Sequence, residues 1–331
     1  MGIVLESNQL NETISELSSE YDIYAPVAKE GRGRFSDTDL IRYDKIKSVE
    51  EIIWNKKSTY SPKEIINPIT QRLFYFTEDK QTEVVNKSKK AIIFLRACDI
   101  NGIERLDDIF LNNGIEKDVY YQRLRENVIF VLMECSSSFE NCFCVSMNTN
   151  KTDNYSLAIR KDGDKYLIEN KDEKLSKVFQ GENIDFAPEF IQENEIKVKT
   201  PEVSEMPPAI YNHEMWEEYN ARCISCGRCN TGCISCSCFT TTDIAYEENK
   251  AVGERRRTWA GCHIDGFSTM AGGHEFRKDK ASRMRFKTLH KVYDFRKRFD
   301  KNMCVGCGRC DDNCPEYISF SNCINKLTEI I

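Results

Sequence analysis

Apolar runs in the first half of the chain predict two buried strands with a helix between them. Residues 91–95 and 128–133 are continuously apolar and have the length of a strand. Between them, Ile103, Leu106 and Phe110 recur at helical spacing. A strand, a helix and a strand in succession form a unit whose two strands run parallel in one sheet. The first half of the chain is therefore predicted to be mixed α/β.

Turn residues extend this prediction along the chain. Residues 155–159 and 166–169 flank Asp162-Gly163, a pair typical of the turn in a β-hairpin. Three prolines in residues 199–208 interrupt helix and sheet alike, which is typical of a linker.

The distribution of the cysteines also divides the chain near this proline-rich segment. Of the sixteen, none lies in residues 1–97, four lie in 98–144, and the other twelve lie in 223–323. A length of 331 residues suits about two domains. We predict an N-terminal mixed α/β domain over residues 1–200, followed by an α-helical, ferredoxin-like domain over 201–331.

Composition and charge limit the classes of function that the chain could have. The net charge of −6 argues against a general nucleic-acid binder. The chain has no apolar run of the roughly 18 residues that a membrane helix needs, and its N-terminus lacks a secretory signal. We therefore expect no membrane contact and a cytoplasmic location, where this many cysteines indicate metal or redox chemistry rather than disulfides.

One cysteine motif occurs twice. Residues 223–229 and 304–310 match at five of seven positions, and each run continues with three residues and a fourth cysteine. The spacing C-x2-C-x2-C-x3-C is typical of proteins that bind 4Fe-4S clusters, and a proline follows the second copy. Structural zinc sites usually pair two C-x2-C knuckles, which leaves the third evenly spaced cysteine unexplained.

The motif also predicts which cysteines bind each cluster. In two-cluster ferredoxins the fourth cysteine of each run binds the other cluster. We therefore assign one cluster to Cys223, Cys226, Cys229 and Cys314, and the second to Cys304, Cys307, Cys310 and Cys233. Because Ile234 replaces the expected proline after Cys233, Cys236 or Cys238 could take the place of Cys233.

A basic insertion, at about residues 240–300, separates the two motifs. Residues 251–301 contain 14 Lys and Arg against 6 Asp and Glu, a net of +8. These charges could form a solvated helix face. Alternatively, they could steer an acidic redox partner, or raise the reduction potential of nearby anionic clusters.

Four further cysteines lie in the N-terminal domain. Cys98 and Cys135 each follow a predicted parallel strand, and Cys142 and Cys144 lie in the next loop. The carboxyl ends of such strands share one edge of a sheet, where α/β proteins bind ligands. The four thiols could converge there on a metal or an extra cluster. They could equally be buried free thiols, since cysteine is a common core residue.

Several segments together resemble a known family. They are Arg96-Ala-Cys-Asp99, residues 142–147, the doubled motif, residues 259–262, Gly272-Gly-His274 with Phe276-Arg277, and His290-Lys291. From about residue 70 onward, this set is similar to the A subunit of anaerobic sulfite reductase. It is also similar to the β subunit of cytoplasmic sulfhydrogenases, a related group of 4Fe-4S dicluster proteins.

The resemblance implies an electron-transfer protein that is not catalytic alone. In an anaerobic, NAD(P)H-dependent sulfite reductase it would relay electrons from the B subunit, which carries FAD and an iron–sulfur centre. The acceptor would be the C subunit, which carries sirohaem and reduces sulfite to sulfide. The alternative is the β subunit of a cytoplasmic NiFe sulfhydrogenase. A more distant alternative is a zinc-binding structural or nucleic-acid-binding protein, which the acidic composition disfavours.

Overall fold

The computed structural model describes residues 2–84, 89–246, 248 and 251–331. The strands are β1 (Gly2–Glu6), β2 (Tyr21–Lys29), β3 (Leu40–Lys45), β4 (Thr70–Phe76), β5 (Gln81–Glu83), β6 (Lys90–Leu95), β7 (Val128–Met133), β8 (Leu157–Asp162), β9 (Lys165–Asn170), β10 (Glu182–Ile184), β11 (Phe239–Ala245) and β12 (Gly253–Trp259). The α-helices are α1 (Ser7–Leu17), α2 (Ala97–Leu111), α3 (Val119–Arg125), α4 (Glu217–Arg222), α5 (Arg228–Thr231), α6 (Lys280–Leu289), α7 (Phe295–Phe299), α8 (Arg309–Asp312) and α9 (Phe320–Ile330).

Shorter helical segments lie between these elements. Four of them, Val49–Glu51, Pro62–Ile65, Pro208–Asn212 and Glu214–Trp216, are 3₁₀ turns. A π-helical turn at His290–Asp294 joins α6 to α7, and such turns are frequent at functional sites.

The larger sheet is built from the N-terminal half of the chain. Its strand order is β10-β1-β9-β8-β7-β6-β2-β3. The predicted unit is confirmed, since β6 and β7 run parallel with Ile92 opposite Ile129. The predicted hairpin is confirmed as the antiparallel pair β8 and β9. The helix α2 begins at Ala97, one and a half turns before the predicted apolar stretch, and Asp99 in its first turn is buried in an ion pair with Arg309.

The smaller sheet joins the two halves of the chain. Its strand order is β11-β12-β4-β5, with β12 antiparallel to β4 and Arg257 opposite Gln71. The first part of the basic insertion is thus a β-hairpin, and helix α6 follows it. The molecule is mixed α/β with its helical, cysteine-rich part at the C-terminal end, as the sequence predicts. The division at residue 200 stays a prediction, and this sheet takes strands from both sides of it.

Two hydrophobic cores hold the cysteine motifs in place. Val305 and Cys307 pack with Leu95 and Ile100 of the N-terminal half. The rest of the helical part packs around Trp216, and the proline-rich segment contributes Met206 to this second core. No helix in the described ranges has the length and apolarity needed to cross a membrane.

Candidate iron–sulfur site

The first cysteine motif lines a cavity. The cavity is bordered by Cys223, Cys226, Cys229 and Cys314, the set predicted for one cluster, and by Cys310. Apolar side chains, including Met284 and Phe320, form much of the remaining wall. Thiol sulfurs around an apolar cavity are the surroundings that an iron–sulfur cluster requires.

Left-handed backbone positions shape both motif loops. Gly227 and Gly308, with φ of 72° and 71°, precede the short helices α5 and α8. Ser225 and Gly306 take the same conformation one residue before the second cysteine of each run. These turns direct backbone N–H groups towards sulfur, with Ser225 N 3.4 Å from Cys223 Sγ and Gly306 N 3.5 Å from Cys304 Sγ. Such contacts raise the reduction potential of a cluster that the sulfur binds.

The second predicted set also converges. Burial raises the pKa of Cys304 to about 12, and the charges of Cys233 and Cys307 act on it in the same direction. The pKa of Cys307 is likewise raised, first by burial and also by the charge of Cys233. Cys310 lies close enough to Cys304 and Cys307 for their charges to raise its pKa further, after burial.

The structure also shows where Cys236 and Cys238 lie, the two cysteines that could replace Cys233 as a cluster ligand. The Cys236 thiol forms a hydrogen bond with Cys233. This bond is the largest cause of the lowered pKa of Cys233 and of the raised pKa of Cys236. Cys238 lies near the ammonium groups of Lys63 and Lys291, which act against the burial that raises its pKa. The charge of Cys233 acts on both Cys304 and Cys307, and its role as ligand stays a prediction.

Three buried lysines surround these cysteines. Lys63, Lys287 and Lys291 are only 2–3% exposed. The Nζ of Lys291 lies 3.4 Å from Cys233 Sγ and 2.8 Å from the Ser235 hydroxyl. The Nζ of Lys63 donates to the Cys236 carbonyl at 2.9 Å and lies 4.1 Å from the centre of the Trp259 ring.

Lys287 lies between the two cysteine sets. Burial acts to lower its pKa, but the charges of Cys229 and Cys310 raise it well above the usual value. Buried cations are costly unless a negative charge lies beside them. A cluster bound by four thiolates is anionic, so the buried lysines fit a pair of such clusters.

The basic insertion is therefore not uniformly a surface. Arg283, Lys287 and Lys291 are buried, whereas Lys278 and Arg298 are exposed. Arg283 is paired with Asp265 and Glu275, which leaves the two lysines facing the cysteines. The four-residue spacing of Lys287 and Lys291 was a signal in the sequence for a shared face. No signal marked Lys63, which lies more than 150 residues before the first motif.

The four N-terminal cysteines meet at one edge of the larger sheet. The pKa of Cys98 is raised first by burial and then by the charges of Asp99, Cys144 and Cys307. Burial raises the pKa of Cys144 to about 12, and the charges of Cys142 and Cys135 add to this. Among the residues that the structure describes, no three His, Cys, Asp or Glu side chains are close enough to hold a single metal ion. A metal or cluster here stays a prediction.

The remaining cysteines pack without entering either set. Cys262 accepts a hydrogen bond from the Asn230 amide at 3.3 Å, and its pKa is raised to about 11 by burial. Cys323 is fully buried with its sulfur 3.4 Å from the Thr288 hydroxyl.

Fold and site together define an iron–sulfur electron-transfer protein. A family model described as a 4Fe-4S dicluster domain matches residues 222–318, which include all eight motif cysteines. The chain is also 27% identical to sulfhydrogenase 2 subunit beta of Pyrococcus furiosus over 348 residues, covering 99% of this chain and 98% of that one. No solved structure matches it. The chain thus binds two 4Fe-4S clusters, the cofactors of one-electron transfer.

Proposed function

We propose that this chain is the electron-transfer β subunit of a NiFe sulfhydrogenase, the alternative to sulfite reductase in the sequence analysis. The observation that supports this proposal is the extent of the similarity to sulfhydrogenase 2 subunit beta, which covers 99% of the chain. The ferredoxin motifs alone would match many electron carriers. An alignment that also includes the N-terminal α/β part favours a subunit with the same neighbours in its complex.

The residues of the chain would hold and insulate the two clusters. Each cluster supplies the capacity to accept and release one electron at a time. Cys223, Cys226, Cys229 and Cys314 would hold one cluster, and Cys304, Cys307, Cys310 and Cys233 the other. The two motifs are in direct contact, since a Cβ added at Gly232 would lie 2.8 Å from the Asn313 side chain. This contact keeps the clusters close, and Lys287 offsets their negative charge between them.

The surface around the first motif offers a docking position for a partner subunit. Cys226 is exposed, and the neighbouring Ile224 and Tyr317 are 55% and 75% exposed. Exposed apolar side chains of this size are typical of residues that a partner covers. A cluster bound at this position would exchange electrons with the partner, while the second set of cysteines lies deeper in the molecule.

A second candidate is the A subunit of an anaerobic sulfite reductase. The resemblance of the segments around Cys98, Cys142 and Trp259 favours it. Its partners would be a B subunit with FAD and an iron–sulfur centre, which oxidises NADH or NADPH, and a C subunit with sirohaem. Both candidates share the electron-transfer role and differ in the subunits that surround it.

Purification of the native complex distinguishes the two. The full chain, tagged at its C-terminus, is isolated without oxygen from its own cells, and the co-purifying subunits are analysed for nickel and sirohaem. We expect nickel and hydrogen-dependent dye reduction. Sirohaem with sulfite reduction would support the second candidate and overturn the first.

Paired variants test the electron-transfer role inside that complex. Cys226→Ser removes a proposed ligand of the exposed cluster and should abolish dye reduction that depends on this subunit. Cys323→Ser changes a buried cysteine outside both sets and should leave the activity unchanged. Equal activities in the two complexes would contradict the proposed role.

A further inference from the structure

We propose that Cys98, Cys135, Cys142 and Cys144 bind a third 4Fe-4S cluster at the edge of the larger sheet. This inference goes beyond the proposed function and holds for either candidate oxidoreductase. It rests on the convergence of the four thiols, on the charges around them, and on their contact with the second motif.

The topology of the sheet brings the four cysteines together. Cys98 lies in the first turn of α2, directly after β6, and Cys135 lies two residues after β7. Because β6 and β7 are neighbouring parallel strands, their carboxyl ends lie at the same edge. The loop that follows β7 returns to this edge and adds Cys142 and Cys144. Three separate segments thus supply the four thiols.

The four thiols are more widely spaced than the ligands of one ion. In the described part of the chain, no three metal-binding side chains, these cysteines included, are close enough to hold a single ion. The ligands of a cubane bind four different irons, so their sulfurs stand farther apart than the ligands of one ion. The arrangement suits a cluster more than a single ion.

Two cationic side chains, Arg96 and Lys57, lie beside these thiols. Arg96 is 6% exposed, and its guanidinium donates to the carbonyl oxygens of Trp54 and Glu134. Glu134 directly precedes Cys135, and in the described ranges the guanidinium has no carboxylate within salt-bridge distance. A buried cation without a counter-ion is costly, and an anionic cluster beside it would offset that cost.

Lys57 supplies the second cation. Its Nζ lies 3.7 Å from Cys142 Sγ and 2.6 Å from an Asp312 carboxylate oxygen. The same Nζ donates to the Cys307 carbonyl at 3.0 Å. Lysine and arginine near a cysteine favour its thiolate, which is the form that binds iron. Transfer of a preformed cubane to this site is a ligand exchange without oxidation or reduction. Each cysteine sulfur binds one iron and displaces a carrier thiolate, which takes up the proton that the cysteine releases.

The proposed cluster would lie directly beside the second one. Cys142 Sγ is 3.6 Å from the Cys307 carbonyl oxygen, and Phe143 N donates to the Gly306 carbonyl at 2.7 Å. The Thr149 hydroxyl donates to the Val305 carbonyl at 2.6 Å. The cysteine-bearing loop and the second motif are therefore one packed unit. A cluster here would extend the line of clusters from the exposed first motif, through the buried second, to the N-terminal part.

Iron and sulfide counts on the full chain test this proposal. The chain is reconstituted without oxygen by transfer of a preformed 4Fe-4S cluster carried by a small thiol, and metal is measured per folded chain. We expect about 12 irons and 12 sulfides, since each cubane contains four of each. The double variant Cys142→Ser/Cys144→Ser should retain about 8 of each, and the control Cys323→Ser about 12. The EPR spin count after dithionite reduction should fall by about one third in the double variant alone.

The outcomes separate this proposal from the proposed function. About 8 irons in the unmodified chain would overturn the third cluster and leave the two-cluster subunit intact. Stoichiometric zinc on these cysteines would likewise overturn a cubane. An iron-free chain would overturn both. Far-UV circular dichroism checks each variant, and if the double variant does not fold, Cys135→Ser, at the rim of a surface cleft, should show the same loss of about four irons.

Discussion

The two copies of the cysteine motif have nearly the same sequence and very different surroundings. In the first copy Cys226 and Arg228 are exposed. In the second copy Cys304 and Cys307 are buried, and Arg309, the counterpart of Arg228, is only 2% exposed. The repeated spacing determines what each loop binds. The surroundings determine how easily solvent and partners reach it.

One position in the motif explains much of this difference. Gly306 occupies the place of Ser225, and a Cβ on Gly306 would lie 2.5 Å from the carbonyl oxygen of Phe143. A Cβ on Gly308 would lie 2.2 Å from the Asn141 carbonyl oxygen. The second loop therefore packs backbone to backbone against the N-terminal part. In the first loop, a Cβ on Gly227 would contact the end of the Ile264 side chain and not a backbone.

The largest expected effect concerns the arginine of each copy. Arg309 forms a buried, two-pronged ion pair with Asp99, at 2.5 and 3.1 Å, and also donates to Ser58. Asp99→Asn leaves a buried guanidinium without its counter-charge. We expect the free energy of unfolding, measured by urea titration of the intact chain without oxygen, to fall by about 3–5 kcal/mol. The matched control Arg228→Gln should change the free energy of unfolding by less than about 0.5 kcal/mol. Equal losses in the two variants would contradict the difference in burial between the two motif copies.

The next effect concerns the backbone position that distinguishes the copies. Gly306→Ala introduces both a left-handed alanine and a contact with the Phe143 carbonyl. We expect a loss of about 2–4 kcal/mol in the free energy of unfolding, together with a lower iron content in the second cluster. Ser225→Gly at the same place in the first copy removes one hydrogen bond to Arg283 and should cost less than about 1.5 kcal/mol. A tolerated Gly306→Ala would show that the close packing is not required.

The buried lysines should separate the reduction potentials of the clusters. Lys291→Met removes a cation 3.4 Å from Cys233 Sγ and disfavours the added electron. We expect the potential of the second cluster to fall by roughly 60 mV, equivalent to a tenfold change in its one-electron equilibrium. The exposed Lys278→Met should shift it much less, since water screens that charge. EPR-monitored redox titration measures both shifts, and an unchanged potential in Lys291→Met would exclude the tuning role.

The smallest expected effect is a difference in the rate of metal removal. A ferrous chelator added to the reduced chain should extract iron from the exposed first site before the buried second. We expect two phases, the faster one eliminated in Cys226→Ser, as followed by the absorbance of the chelated iron. A single phase would show that both sites are equally accessible.

The sequence allowed some of this arrangement to be predicted because particular signals are local. Residues 91–95 and 128–133 have the apolar character of buried strands, and the spacing of the motif cysteines reflects the geometry of one loop. The sequence offered no comparable signal for the pairing of β12 with β4, which joins residues more than 170 positions apart. The start of α2 was also missed, since the burial of Asp99 in its first turn depends on partners far along the chain, Tyr43 and Arg309.

Charge was the hardest feature to predict. The sequence left open whether the +8 insertion forms a solvated face, steers a partner or acts on the clusters. In the structure Lys287 and Lys291 are buried beside cysteines, while Lys278 is exposed. The four-residue spacing of Lys287 and Lys291 indicated a shared face, but it could not show that this face is buried, because burial depends on the elements packed against α6. Lys63, which belongs to the same group, could be assigned only once the fold was known.

The most direct test is quantitative EPR of the intact chain, purified and reduced with dithionite without oxygen, alongside iron and sulfide counts. Two cubanes bound by the motif cysteines predict at least about 8 irons per chain and one-electron signals broadened by the proximity of the clusters. The signal assigned to the first site should disappear in Cys226→Ser and persist in Cys323→Ser. A chain that contains stoichiometric zinc, or that is EPR-silent and free of iron, would contradict electron transfer as its function.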